Sequence, residues 1–201
     1  MLDKFVEKKI SNFIIGVDEV GRGPLAGPVV SAAVILSEDF DTNDINDSKK
    51  LSKSKRELIY EQIINKCDFK IGIASVNEID KYNILQASLL SMQRAVSQFK
   101  SKDHYTVLVD GPWSYDNSNS LIIPKIKGDS IYPSIAAASI IAKVYRDNLM
   151  SSLSKKFSNY LWEKNSGYGT KEHLSAIKKY GISSHHRKSF APVHKILSLQ
   201  K

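Results

Sequence analysis

Ile14-Ile15-Gly16-Val17-Asp18-Glu19-Val20-Gly21-Arg22-Gly23-Pro24 is the stretch that decides how this chain is read. The apolar run from Ile14 to Val17 predicts a buried strand, and two adjacent acids emerge at its end. Burying an unpaired carboxylate costs roughly several kcal/mol, so a chain keeps such a pair mainly where a cation neutralises it. Oxygen-only ligands suit the hard ions Mg²⁺ and Mn²⁺. Gly21 and Gly23 supply backbone that bends freely and lets another molecule come close. The reading is a divalent-metal site with a substrate loop attached. The plain alternative is a surface turn with both acids solvated. Against it stand the apolar run in front, the glycine loop behind, and two further isolated acids, Asp110 and Asp129.

The whole chain is consistent with an enzyme acting on a polyanion. Its 201 residues suit one globular domain, 1–201, with a full hydrophobic core. Lysine and arginine number 29 against 21 acids, a net charge of +8. That excess can draw in a nucleic acid, although a lysine-rich composition can also reflect genome base bias. No apolar run reaches the ~18 residues of a membrane span, so no membrane association is expected. The start lacks the apolar core of a signal peptide, and the single Cys67 leaves no internal disulfide. These features predict a cytoplasmic protein, read here as a monomer.

Strands are predicted over Ile14–Val17, Val29–Leu36, Phe69–Val76, Tyr105–Val109 and Leu121–Ile126. Ser54-Lys55-Arg56-Glu57 has the capping-box pattern and opens a helix through Ile59 and Ile63. From Asn77 the apolar spacing predicts a long helix or a bent pair. Ser134–Met150 is alanine-rich, a helix able to lie very close to a sheet. Thr170 caps a further helix ending at Gly181, and residues from about 162 to 201 form a helical C-terminal extension leaning on the core. The fold class is α/β, with a mixed central β-sheet flanked by helices.

Asp110 follows Val107-Leu108-Val109 and so also emerges at a strand's end, while Asp129 follows Gly128 just before the alanine-rich helix. If the first strand neighbours the one ending at Asp110, Asp18 and Asp110 face one another at the sheet edge. Four carboxylates converging there can hold two divalent ions about 3.5–4 Å apart, the arrangement for in-line displacement at phosphorus. A single Mg²⁺ on one or two acids would suit a kinase-like site, but no phosphate-cradling P-loop pattern is present.

Val17 to Pro28, Asn46-Asp47-Ser48-Lys49-Lys50-Leu51-Ser52, Val109-Asp110-Gly111 and Lys127-Gly128-Asp129-Ser130 resemble the motifs of bacterial ribonuclease HII. Ala136 to Asp147 and His185-His186-Arg187-Lys188-Ser189-Phe190 extend the resemblance to nearly the whole chain. The resemblance implies an RNase H-like fold and endonucleolytic cleavage of RNA in RNA–DNA hybrids, including ribonucleotides embedded in duplex DNA. It assigns Asp18, Glu19, Asp110 and Asp129 to metal binding and catalysis with Mn²⁺ or Mg²⁺. It gives Gly21, Arg22 and Gly23, with Tyr168, the sensing of the ribose 2′-hydroxyl, the group that tells RNA from DNA. This chain departs from the family at Pro112-Trp113, where a polar residue commonly follows Asp-Gly, and at Gly169, where proline is frequent.

Lys49, Lys50, Lys143, Arg146, Arg187 and Lys188 are candidate phosphate contacts. Arg22 either binds phosphate or pairs with an acid. His185-His186 could suggest zinc, but paired ligand spacing is missing, and a capping or phosphate-contact role fits better. Asp147 reads as a structural ion-pair residue, Asp47 as a turn former, and Trp113 and Trp162 as core or rim packing. Three rival readings stand beside this one: a type 1 ribonuclease H or a Holliday-junction resolvase of the same fold, a non-catalytic nucleic-acid-binding module, and a relative with an extra N-terminal substrate-binding domain. Protein partners are not legible.

Overall fold

The computed structural model describes residues 2–45, 51–99, 105–115 and 120–198. Five strands, β1 (Ile14–Val20), β2 (Val29–Ile35), β3 (Asp68–Ala74), β4 (Thr106–Asp110) and β5 (Leu121–Lys125), form one sheet in the order β3-β2-β1-β4-β5. β1 runs antiparallel to β2 and parallel to β4, so the sheet is mixed. The register Val17↔Val109 places Asp18 and Asp110 side by side at one sheet edge, as the two apolar runs predict.

Helices cover both faces. On one lie α2 (Lys53–Lys66) and α4 (Pro133–Lys156), whose alanines pack with Ala32, Val34, Ile59 and Ile63. On the other lies α3 (Val76–Val96), where Met92, Ala95 and Val96 pack on Ile15, Val17, Val107 and Val109. Strand alternation therefore aims Gly16 and Asp18 at α4, and Val17 and Glu19 at α3. Gly16 is the point of closest approach: a Cβ there would stand 2.1 Å from the Ser134 carbonyl carbon. The N-terminal α1 (Lys4–Lys8) brings buried Glu7 against the start of α4, where it accepts from Ser134 N at 2.8 Å and Ser134 Oγ at 2.6 Å. A carboxylate on first-turn N–H groups complements the helix dipole.

Two boundaries differ from the sequence reading. α2 is capped by Ser52, whose hydroxyl accepts from Lys55 N at 3.3 Å, so Ser54 lies inside the helix. The reciprocal capping box sits instead at α3, between Ser75 and Glu78, and α3 begins at Val76, where the sequence suggested strand. α3 bends at Asn83 (φ 68°), whose side chain accepts from Leu85 N and Gln86 N, which resolves the expected choice in favour of a bent pair. After α4 come α5 (Trp162–Asn165), α6 (Lys171–Tyr180) and α7 (Ala191–Ser198). Their apolar faces gather around Trp162, Ile177 and Val193 and pack on Leu25, Ala26 and Met150. Thr170 caps α6 and Gly181 (φ 77°) ends it, as expected. Among the described residues no helix is long and apolar enough to cross a membrane.

Candidate active site

β1 delivers Asp18 and Glu19, and β4 delivers Asp110, to the same end of the sheet. Asp18 is 6 % exposed, and its Oδ1 accepts the Glu19 N–H at 2.7 Å. Burial, and then the Glu19 and Asp110 carboxylates, push Asp18 well above the usual carboxylate range, while the Ser139 hydroxyl on α4 works against that rise. Burial also raises Glu19, opposed by Arg22 and reinforced by Asp110. Asp110 thus bears on both of the other acids. Arg22 is the cation at this cluster, with Nη1 at 3.4 Å from Glu19 Oε1. Of the two roles open for Arg22, pairing with an acid is the one seen.

Asp129 lies on the turn Gly128–Ser130 beyond β5, buried, with Oδ1 accepting from Ser130 Oγ at 3.3 Å. Gly128 ties this turn to the cluster, its N–H donating to Asp110 Oδ1 at 2.7 Å. The chain reaches that geometry through Lys127 in the left-handed region (φ 55°), a conformation non-glycine residues adopt at a cost. Among the described residues no three His, Cys, Asp or Glu side chains stand, as placed, close enough together to hold a metal ion. The residues nonetheless fit divalent cations. Three carboxylates gather at one end of the sheet, and burial and acidic neighbours raise both Asp18 and Glu19, a strain on the ionised forms that oxygen-ligated Mg²⁺ or Mn²⁺ would relieve. Beside the acids, Glu19, Arg22, Asp110, Gly111 and Trp113 border a cavity of about 60 Å³ against α3. Trp113 is 50 % exposed at its rim, whereas Trp162 is core, so the packing default splits between them.

The Gly21–Pro28 loop and the segment around Tyr168 meet next to this cluster. Leu25 N donates to Gly167 O at 2.8 Å, and a Cβ on Gly23 would stand 3.4 Å from Tyr168 Cε1. Tyr168 is 44 % exposed. Behind it, one pattern of ring protons satisfies a buried histidine pair. Trp162 Nε1–H and His186 Nε2–H both point to His173 Nε2, each at 3.1 Å, and His173 Nδ1–H donates to the Tyr168 carbonyl at 2.8 Å. His186 Nδ1 accepts from Ser183 N at 2.9 Å. Burial and the neighbouring His173 pull His186 down to about 4, so both rings are neutral near pH 7. His186 therefore braces the tyrosine segment and contacts no phosphate.

Other expected contacts need correction. Arg146 is 0 % exposed, its three donors engaged by the carbonyls of Pro28, Ser166 and Ala26 at 3.0, 2.9 and 3.0 Å. Arg187 is equally buried. Neither can reach a phosphate; both are scaffold. A stripe on α4 (Ala142, Arg146, Met150, Ser154, four apart) carried the signal for Arg146, because its neighbours on that stripe are buried. Lys143 is half-buried and pairs with Asp147 at 2.9 Å, in a polar groove shared with Lys53, Arg56 and Lys164. The ion pair expected of Asp147 is thus with Lys143, not the adjacent Arg146. Lys49, Lys50 and Asp47 lie outside the described residues. Sequence reasoning gave no role of their own to Ser139 and Gly128, although both lie within the quoted motifs, and passed over His173, which belongs to none of them.

A mixed sheet with acids from two parallel neighbouring strands at one edge, helices on both faces and a glycine loop after the first acid pair defines an RNase H-like nuclease. The family model for ribonuclease HII matches residues 15–193. A ribonuclease HII of Wolbachia pipientis subsp. Culex pipiens is 52 % identical over 198 residues, 95 % of this chain and 96 % of the relative. Among solved structures, ribonuclease H2 of Pyrococcus horikoshii superposes with a TM-score of 0.77 at 25 % identity, covering 92 % of this chain and 97 % of that one. The RNase HII of Archaeoglobus fulgidus, solved in complex with PCNA, gives 0.75 at 27 % identity, covering 89 % and 95 %. The chain belongs to the ribonuclease HII family. It is a ribonuclease H-type endonuclease acting on the RNA of RNA–DNA hybrids, in a family that depends on divalent metal.

Proposed function

We propose that this chain also incises duplex DNA on the 5′ side of single embedded ribonucleotides, leaving 3′-hydroxyl and 5′-phosphate ends. The observation that supports it most is the gathering of Asp18, Glu19 and Asp110 at one end of the sheet, with Asp129 on the adjoining turn, where burial and acidic neighbours raise Asp18 and Glu19. Those acids would hold paired Mg²⁺ or Mn²⁺ ions. Such ions, when bound, make hydroxide available near neutral pH and stabilise a departing 3′ oxygen.

The chain's own groups do the positioning. Asp110, acting on both neighbouring acids, is suited to serve both ions. Ser139 steadies Asp18 in its ionised form. Arg22 is free to exchange Glu19 for a substrate phosphate once cations neutralise that acid. Gly21, Arg22 and Gly23 offer backbone to the ribose, while the ring of Tyr168 packs on the neighbouring sugar and disfavours a hydroxyl there. Lys143 supports the duplex through a phosphate, and Lys49 and Lys50 are proposed for the same task.

Incubating the protein with a duplex containing one ribonucleotide, with Mg²⁺, Mn²⁺ or chelator, tests this. A single metal-dependent cut immediately 5′ of the ribonucleotide is expected. Cutting confined to long RNA tracts would make it a type 1-like activity instead.

A further inference from the structure

Two guanidinium groups, those of Arg146 and Arg187, are buried side by side behind the Gly21–Pro28 loop. Arg187 is 0 % exposed, and among the described residues its donors meet carbonyls rather than a carboxylate. Nε donates to Gly27 O at 2.9 Å, Nη1 to Arg22 O at 3.0 Å and Nη2 to Gly21 O at 2.6 Å. Burial, and then the neighbouring Arg146, pull its pKa down to about 9. Keeping two cations together in the interior is costly. A loop needing only to be folded could be closed by ordinary backbone pairing.

Peptide geometry says what the arrangement achieves. Every peptide among the described residues is trans, so the C=O and the following N–H lie on opposite sides of one plane. The Gly21 carbonyl shares its plane with the Arg22 N–H, and the Arg22 carbonyl shares its plane with the Gly23 N–H. With both carbonyls turned inward onto one guanidinium, both N–H groups are turned away from it. Gly21 makes this possible: it sits at φ 99°, and a Cβ there would stand 2.3 Å from Arg146 Nε. Gly23 in turn lies against the ring of Tyr168.

We propose that Arg187 is a positioning residue for substrate choice, holding the Arg22 and Gly23 N–H groups outward as paired donors to the oxygen of a ribose 2′-hydroxyl. This rests on the reading that the loop meets the ribose. Arg187 itself touches no substrate. Its fork of donors, fixed in one plane, can hold two successive carbonyls in a way a lysine cannot.

The test compares the parent protein with Arg187→Lys and Arg187→Met, using Ca²⁺ in place of Mg²⁺ to suppress cutting. Affinity is measured for an all-DNA duplex and for the same duplex with one ribonucleotide, with thermal unfolding as the folding control. The expected result is an unchanged all-DNA affinity and a ribonucleotide preference reduced about tenfold in Arg187→Met, with Arg187→Lys in between. A folded variant that keeps the parent's preference overturns the proposal. If neither variant folds, amide NMR of the parent decides. The Arg22 and Gly23 N–H signals must shift with the ribonucleotide duplex and not with all-DNA; equal shifts overturn it. A parent protein with no ribonucleotide preference would instead defeat the reading of the loop, and the two failures are thereby distinguished.

Discussion

At the scale of single residues, the segments beside the acids are held by buried side chains that grip backbone carbonyls. His173 is the clearest case, because each of its ring nitrogens has a separate task. Nδ1–H holds the Tyr168 carbonyl, and Nε2 receives Trp162 and His186. Asparagine places an N–H where Nδ1 stands, whereas leucine fills the space without a donor. His173→Asn should therefore keep preference for embedded ribonucleotides, and His173→Leu should lose about tenfold in kcat/KM on them. Magnesium uptake should be intact in both. Single-turnover kinetics with titration calorimetry check this, and equal behaviour of the two variants would deny His173 that role.

At the scale of elements, the contact between α4 and β1 carries the geometry. Gly16 lets the helix start touch the strand that carries Asp18, and Ser139, farther along α4, reaches that acid. Gly16→Ala drives a Cβ to 2.1 Å from backbone, a clash no side-chain rotation relieves. It should destabilise the fold by about 3 kcal/mol or more, at the upper end of overpacking costs. Denaturant unfolding measures it; a change below ~1 kcal/mol would mean the interface yields far more easily than packed cores do. Gly23 sets the contrast, since a Cβ there meets only Tyr168 Cε1, at 3.4 Å, an ordinary contact.

Across the whole molecule, buried titratable groups pull in opposite directions as pH falls. His186 sits at about 4, below the ordinary ~6.5 of an unfolded histidine. The unfolded chain therefore takes up that proton first, and the stability His186 contributes above pH ~6.5 is lost as pH falls toward about 4. Raised Asp18, Glu19 and Glu7 act the other way, because their native forms bind protons before the unfolded chain does. His186→Asn can still accept from Ser183 without titrating, so its acid-side loss over that range should be smaller than the parent's. Melting temperatures between pH 7 and 4 show whether it is.

The strands themselves and the acids at their ends were legible because apolar runs ending in Asp are a local signal, whereas the pairing of β1 with β4 that aligns those ends stood only as a condition until the sheet order supplied it. The role of Arg187 was not legible, because a charge on a solvated face and one clamped on carbonyls look alike in a string of letters, and only tertiary packing separates them. Arg146 differs, since its place on the buried stripe of α4 was a signal the sequence held. Ser139 and His173 escaped for the same reason as Arg187: each acts through a partner far off in sequence or through a backbone carbonyl.

The most direct test of the acid cluster is calorimetric titration with Mg²⁺ and Mn²⁺, in buffers of different ionisation heat, for the parent and for Asp110→Asn. Because burial and neighbouring carboxylates raise Asp18 and Glu19, cation uptake should be saturable and should release more protons as pH is lowered. Uptake and cutting should both vanish in Asp110→Asn while duplex affinity stays. Equal uptake by parent and variant, or none by the parent, would contradict the account.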